Sequence, residues 1–423
     1  MKILFKQCFT LLLVALATVH QIASQDLARV RKTIETLCSP EFHGRGATFN
    51  GDSVATEFIK GKFQEYELKN FGSYFQTFHY NINTFPGKAE MISGKFTLVP
   101  GKDFIIHPSS GQGKKRLKLF FADTLMLTDP KKTEKLLAKN LKKYAVVLPE
   151  NLLNHQKMND LILEKILSSG AIIEVINKKL TASLSPQQYS LPYIQVRKEA
   201  AEKMKSKVSI DIDATLLENH SSDNVIGYIE AAVPTDSFIV ISAHNDHLGR
   251  MGRDTYFPGA NDNASGTSLL LELAAYYSSS EAKPEYNIAF MSFGAEEAGL
   301  IGSRYYTEHP FFPLSKIKFL INLDLMGTGD EGMMVVNGAI HTKEFDLLLH
   351  FNEENKLLPA IKKRGKAANS DHYFFSQKGV PSFFFYTLGG INAYHDIYDI
   401  PSTLPLTKYK EVFELINGFI KLL

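Results

Sequence analysis

Between residues 224 and 423, short apolar runs alternate with segments of helical spacing. The strand-like runs lie at 224–230, 237–243, 286–293, 318–324 and 382–386. The helical patterns lie at 265–278, 371–377 and 408–422. A run such as Ile239-Val240-Ile241-Ser242-Ala243 shows no polar alternation, so a strand there is covered on both faces. Strands of this kind alternating with helices predict an α/β fold, a mixed, mostly parallel sheet flanked by helices. Open sheets of that class bind ligands beyond the carboxyl ends of their strands.

Chemistry gathers at those ends. The run 239–243 leads into His244-Asn245-Asp246-His247. A glycine-rich loop, Pro258 to Gly266, carries Asp262 into a helix. The run 286–293 ends in Gly294-Ala295-Glu296-Glu297, and the run 319–323 ends in Asp324. Tyr394-His395-Asp396 follows the last strand. Each residue alone has an ordinary structural reading as a strand-end histidine, a helix cap or a solvated carboxylate. Together they offer five nitrogen or oxygen ligands with one carboxylate to spare, a mixed set suited to divalent ions. Two ions sharing one carboxylate would use all five and leave room for water and substrate. Of the neighbours Glu296 and Glu297, one could hold metal and the other act as general base.

The rest of the sequence limits the setting. A chain of 423 residues that is 44% apolar has material for two to four packed domains and is neither disordered nor fibrous. Residues 1–24 read as a secretory leader: Lys2 and Lys6, an apolar core from Phe9 to Val19, then Ala23 and Ser24. That core is about half the ~20 residues of a membrane span. The expected location is exported, periplasmic or extracellular, with no membrane attachment after cleavage. Lysine and arginine number 47 against 45 acidic residues, and the leader holds Lys2 and Lys6, so the mature chain is neutral. Neutrality gives no basis for binding nucleic acid. Cys8 lies in the leader, leaving Cys38 alone, which excludes an intramolecular disulfide or a cysteine zinc site.

Helical spacing covers 26–38 and 52–68, the second capped by Asp52 or Ser53, with a turn at His43-Gly44-Arg45-Gly46 between them. The texture changes near Gly87. Strands are expected at 144–148, 171–176 and 191–196, and helices at 131–143 and 151–169. The lysines of 131–143 read as a solvated face. Gly327-Thr328-Gly329-Asp330-Glu331-Gly332 fits a dinucleotide pattern, but Met333-Met334-Val335-Val336 after it reads as a strand, so the glycines mark a turn. Neither His-Glu-x-x-His nor Gly-x-Ser-x-Gly occurs.

The run from about Asn224 onward resembles the M28 family of zinc peptidases, the co-catalytic di-zinc aminopeptidases. The matching motifs are Ala243 to Gly249, Pro258 to Gly266, Ala295 to Ser303, Asn322-Leu323-Asp324, Ser370-Asp371-His372 and Tyr394-His395. The resemblance implies two zinc ions per chain, one held by His244 and Asp324, the other by Glu297 and His395, with Asp262 bridging. It implies Glu296 as general base, Asp246 orienting His244, and Tyr394 donating to the tetrahedral intermediate. Asn261 departs from the aspartate common at that position. The implied activity is removal of N-terminal residues from peptides. Glutaminyl cyclisation, carboxypeptidase action or a non-catalytic binding role on the same scaffold are the alternatives. Residues 87–217 interrupt the resemblance and look like a protease-associated insert. The resulting division is 1–24 leader, 25–86 first catalytic part, 87–217 insert and 218–423 main catalytic domain.

Overall fold

The computed structural model describes residues 25–279 and 283–423; the expected leader lies outside the described residues. Helix α1 (Leu27–Leu37) buries Val30, Ile34 and Leu37, and the Asp26 carboxylate caps it by accepting the N–H groups of Ala28 and Arg29. Helix α2 (Gly51–Glu65) follows a left-handed Asn50. Neither expected cap is used. Asp52 is buried against His220 instead, 2.7 Å from its Nε2.

Strand β1 (Phe75–Thr84) leads into a second sheet. That sheet holds β2 (Ala89–Ser93), β3 (Phe96–Leu98), β4 (Phe104–Ile106), β5 (Gly113–Phe121), β6 (Tyr144–Pro149), β7 (Ala171–Ile176), β8 (Tyr193–Arg197) and β9 (Lys207–Ile212). Its order is β3-β2-β9-β5-β6-β7-β8-β4. Helices α3 (Pro130–Ala138), α4 (Asp160–Leu167) and α5 (Lys198–Ala201) accompany it. The helix expected at 151–169 is confined to α4. Asn151 is left-handed, and the side chain of Asn159 starts the helix by accepting the N–H of Ile162.

Strand β10 (Thr215–Ile229) returns antiparallel to β1, paired from Thr84 opposite Thr215 to Phe75 opposite Val225 with a one-residue shift between Tyr80 and Ile82. The first sheet continues with β11 (Phe238–His244), β12 (Asn287–Phe293), β13 (Ile317–Leu323), β14 (Gly332–Val336), β15 (Ile361–Arg364) and β16 (Ser382–Leu388). Its order is β1-β10-β12-β11-β13-β16-β14-β15. Strands β12, β11, β13 and β16 form its parallel centre, and β10 and β14 join antiparallel on either side. The sheet is therefore mixed around a parallel core. Between these strands run α6 (Gly266–Ser278), α7 (Ile301–Glu308), α8 (Thr342–Asn355) and α9 (His372–Gln377), and α10 (Tyr409–Leu422) closes the chain.

Every residue of β11 and β12 is buried, as unbroken apolar runs require. Ile239, Ile241 and Ala243 face a layer containing Val30, Ile59, Leu270 and Phe419, from α1, α2, α6 and α10. Val240 faces the opposite layer with Tyr306 and Phe375, from α7 and α9. Strand β11 pairs with β12 on one side and β13 on the other, so the chain turns away in opposite directions at its carboxyl end. Such a switch point opens a crevice there. The core of the second sheet, around Ile106, Ile194 and Ile210, also takes in Leu248, Met251 and Phe257 from the loop after β11. No helix among the described residues is long and apolar enough to cross a membrane.

Candidate metal centre

His244 is the last residue of β11, placed at the crevice floor. Its Nε2 lies 3.3 Å from Asp262 Oδ1 and 3.5 Å from Asp324 Oδ1. Asp324 directly follows β13. The other oxygen of Asp262, Oδ2, lies 3.1 Å from His395 Nε2, and that nitrogen lies 3.1 Å from Glu297 Oε2. Asp262 thus stands between two groups of nitrogen and oxygen donors, with one oxygen turned to each. Glu296 and Glu297 sit in the turn after β12, entered through a left-handed Ala295. The ring of Tyr394 stacks on that of His395 with centroids 3.9 Å apart, and the tyrosine is half-exposed.

Asp246 stands beside His244 and also serves a second pair of groups. Its carboxylate accepts the N–H groups of Glu296 and Glu297 at 3.0 and 3.1 Å, which fixes their turn. It stands 3.6 Å from His244 Nδ1, whose nearer neighbour is the Asp246 carbonyl at 3.2 Å. Asn261 braces its own loop, its side-chain oxygen accepting the N–H of Gly327 at 2.9 Å.

The electrostatics call for a cation. Asp246, Asp262, Glu296, Glu297, Asp324 and Asp371 converge on His244, His247 and His395. Among the described residues no lysine or arginine pairs with these carboxylates. Burial, reinforced by Asp371, Glu297 and Asp324, holds the Glu296 carboxyl well above its usual range. Burial opposes charge on His395, yet Asp262 and Glu297 push it up to about 11. His244 Nε2 and Asp324 Oδ1 are buried without a hydrogen-bond partner among the described residues. Buried polar atoms of this kind are normally satisfied. One imidazole nitrogen and two carboxylate oxygens converging there, within 4.8 Å of one another, suit a divalent ion such as zinc.

Three contributors escaped the sequence reading. His247 places Nδ1 2.7 Å from Glu297 Oε1, and it belongs to a second set of possible ligand atoms with Asp262 and Glu297. Its position next to Asp246 was the available signal. Asp399, fully buried, accepts the N–H groups of Asn261 and Asp262 at 2.9–3.0 Å. Arg45, also fully buried, approaches the same loop with its guanidinium. It donates to the carbonyls of Pro258 at 2.5 Å, Gly259 at 2.8 Å and Asp262 at 3.4 Å. The Asp262 loop is thereby held between a buried anion and a buried cation. Arg45 and its neighbours reach it because glycines allow backbone contact: a Cβ on Gly46 would lie 2.6 Å from Gly249 Cα.

Residues 224–420 match the model of peptidase family M28. Aminopeptidase YwaD of Bacillus subtilis is 29% identical over 224 residues, half of this chain and 47% of that protein. Leupeptin-inactivating enzyme 1 of Streptomyces exfoliatus is 32% identical over 143 residues, a third of this chain and 31% of that protein. The chain spans about half, or less, of the length of these curated relatives. Among solved structures, the zinc aminopeptidase BSAP from Bacillus subtilis superposes with a TM-score of 0.69 at 19% identity, covering 94% of this chain and 95% of that one. An M28 peptidase precursor from Shewanella amazonensis superposes with a TM-score of 0.68 at 15% identity, covering 93% and 92%. These superpositions describe the fold. The match at 224–420, just under half of the chain, and the motifs it contains make that region similar to peptidase family M28.

Proposed function

We propose that the chain is an exported aminopeptidase with two zinc ions. His244 and Asp324 hold one, Glu297 and His395 hold the other, and Asp262 bridges them. The observation that carries this reading is the Asp262 carboxylate, whose two oxygens face separate groups at 3.3 and 3.1 Å. Zinc bound there would polarise a peptide carbonyl and acidify water. Glu296 takes the proton of the attacking water as oxygen bonds to the scissile carbonyl carbon. It passes that proton to the leaving nitrogen as the C–N bond breaks. Asp246 fixes the Glu296–Glu297 turn, and Tyr394 donates to the tetrahedral oxygen. A crevice with more carboxylates than imidazoles favours a substrate that brings a positive α-amine, which directs cleavage to N-termini. Residues 87–217 form an inserted, protease-associated-like domain in this reading, and 1–24 the export signal.

The test is mass spectrometry of a mixed peptide pool incubated with the mature protein, with and without chelator. Stepwise loss of N-terminal residues, blocked by chelator, is expected. Loss of C-terminal residues or of ammonia would assign a different reaction. Glu296→Gln should remove turnover while zinc content stays unchanged; full activity in that variant would refute the general-base assignment.

A further inference from the structure

The loop between β7 and β8 carries the second sheet to the candidate centre. Ala182 N–H donates to the His395 carbonyl at 2.9 Å, and the Ala182 carbonyl lies 3.1 Å from His395 Nδ1. A carbonyl only accepts, so this contact keeps a proton on Nδ1, and in the neutral ring, the form that can ligate a metal, it leaves Nε2 bare. Nε2 is the atom that faces Asp262 and Glu297. Three residues earlier, Lys179 Nζ donates to the Asn392 carbonyl at 2.8 Å and pairs with the nearly buried Asp396 at 2.7 Å. His395 itself is left-handed, with φ of 51°. A non-glycine residue held there costs of order 1–3 kcal/mol and persists only where its surroundings enforce it. Ala182 and Leu180 are in turn packed into the core of the second sheet.

We infer that the 179–182 segment is a positioning element: it sets the tautomer and backbone of His395, and so couples docking of the second sheet to cation binding at the Glu297–His395 side. This rests on His395 being a ligand. Partners that orient a ligating imidazole typically contribute about 10–100-fold in metal affinity. Displacing the loop by a few ångströms would remove the acceptor from Nδ1 and the restraint on the left-handed backbone together. Binding at the His244–Asp324 side would be unaffected, because no contact from this loop reaches it among the described residues.

The experiment measures zinc binding by competition with a chromophoric chelator on the full chain. It compares the parent, His395→Ala, Lys179→Met and Ala182→Pro. Lys179 is well exposed, so its variant keeps the fold, and a thermal melt checks both loop variants. In the parent, 15N spectra of the histidines should show a protonated Nδ1 on His395, identified by its absence in His395→Ala. The expected result is loss of one zinc in His395→Ala. Affinity for that same ion should weaken about tenfold in Ala182→Pro, and more mildly in Lys179→Met, with the Nδ1–H signal shifted or lost. If His395→Ala keeps both ions tightly bound, the ligand reading fails and the coupling falls with it. If His395→Ala loses one ion while both loop variants bind like the parent, the ligand reading stands and the coupling is overturned.

Discussion

Arg45 gives the sharpest quantitative expectation. Its guanidinium is fully enclosed and donates to five carbonyls: Leu37, Asn245, Pro258, Gly259 and Asp262. Replacing it by Met keeps most of the stem and removes all five donors. Four of those bonds are 3.0 Å or shorter. At about 1–3 kcal/mol for each buried acceptor left unsatisfied, the gross loss is roughly 4–12 kcal/mol. Removing a buried cation also recovers several kcal/mol of desolvation. The net expectation for Arg45→Met is a loss of about 3–5 kcal/mol. That is a large share of the 5–15 kcal/mol typical of a folded domain. Urea unfolding with excess zinc should show the midpoint shifted by that amount at constant slope. Because three of the carbonyls belong to the Asp262 loop, zinc affinity should fall as well, by about tenfold. Arg45→Lys keeps the charge but not the planar fork, so it should fall between parent and Met. A Met variant within about 0.5 kcal/mol of the parent, with unchanged zinc affinity, would show that the loop is held by other contacts.

Other expectations follow from the same geometry. Burial pushes His107 down to about 4, against an ordinary value near 6.5. The unfolded chain therefore binds this proton first, and stability is lost as pH falls from about 6.5 to about 4, by at most roughly 3 kcal/mol. His107→Phe, keeping the stack on Tyr193, should flatten that part of the pH–stability curve. Gly46→Ala, whose Cβ would meet Gly249 backbone atoms at 2.6–2.8 Å, should destabilise by about 2–3 kcal/mol in urea, and a neutral result would contradict the close approach. Excess chelator should lower the melting temperature; zinc at 100 times its Kd contributes about 2.7 kcal/mol, so an unchanged melt would argue against metal in the folded protein.

The carboxyl-end residues were legible because the physics is local. An unbroken apolar run forces a buried strand, and the polar residue that ends it must leave the sheet at the crevice. His244 and Asp324 stand directly after such runs, and Glu296 and Glu297 follow one by a two-residue turn. Arg45 was not legible. In a Gly-Arg-Gly turn it looks solvated, and four of its five acceptors lie 200 or more residues away in sequence. Ala182 and Asp399 act through main-chain atoms or on them, and main-chain contacts have no side-chain signature. Asp246 illustrates a third limit. The resemblance implied His244 as its partner, and the folded chain adds the Glu296 and Glu297 N–H groups, main-chain donors with no side-chain signature. The helix expected at 151–169 failed because apolar spacing was read through Asn151, which the fold uses as a left-handed turn residue.

The ribbon of β1 and β10 bears on how such a protein is assembled and inherited. Everything between Thr84 and Thr215 hangs from two residues that already face each other across a ladder. In topological terms the second sheet occupies the tip of a β-hairpin. Chain closure grows only logarithmically with the length of what is closed, about 0.6 kcal/mol per doubling. A whole domain there weighs little more on closing the ribbon than a long loop would. Because β1 is the outermost strand, the graft also leaves the pairing of β11, β12 and β13 undisturbed. Shortening the excursion to a tight turn would keep the ribbon continuous, and it would part His395 from the one carbonyl that meets its Nδ1.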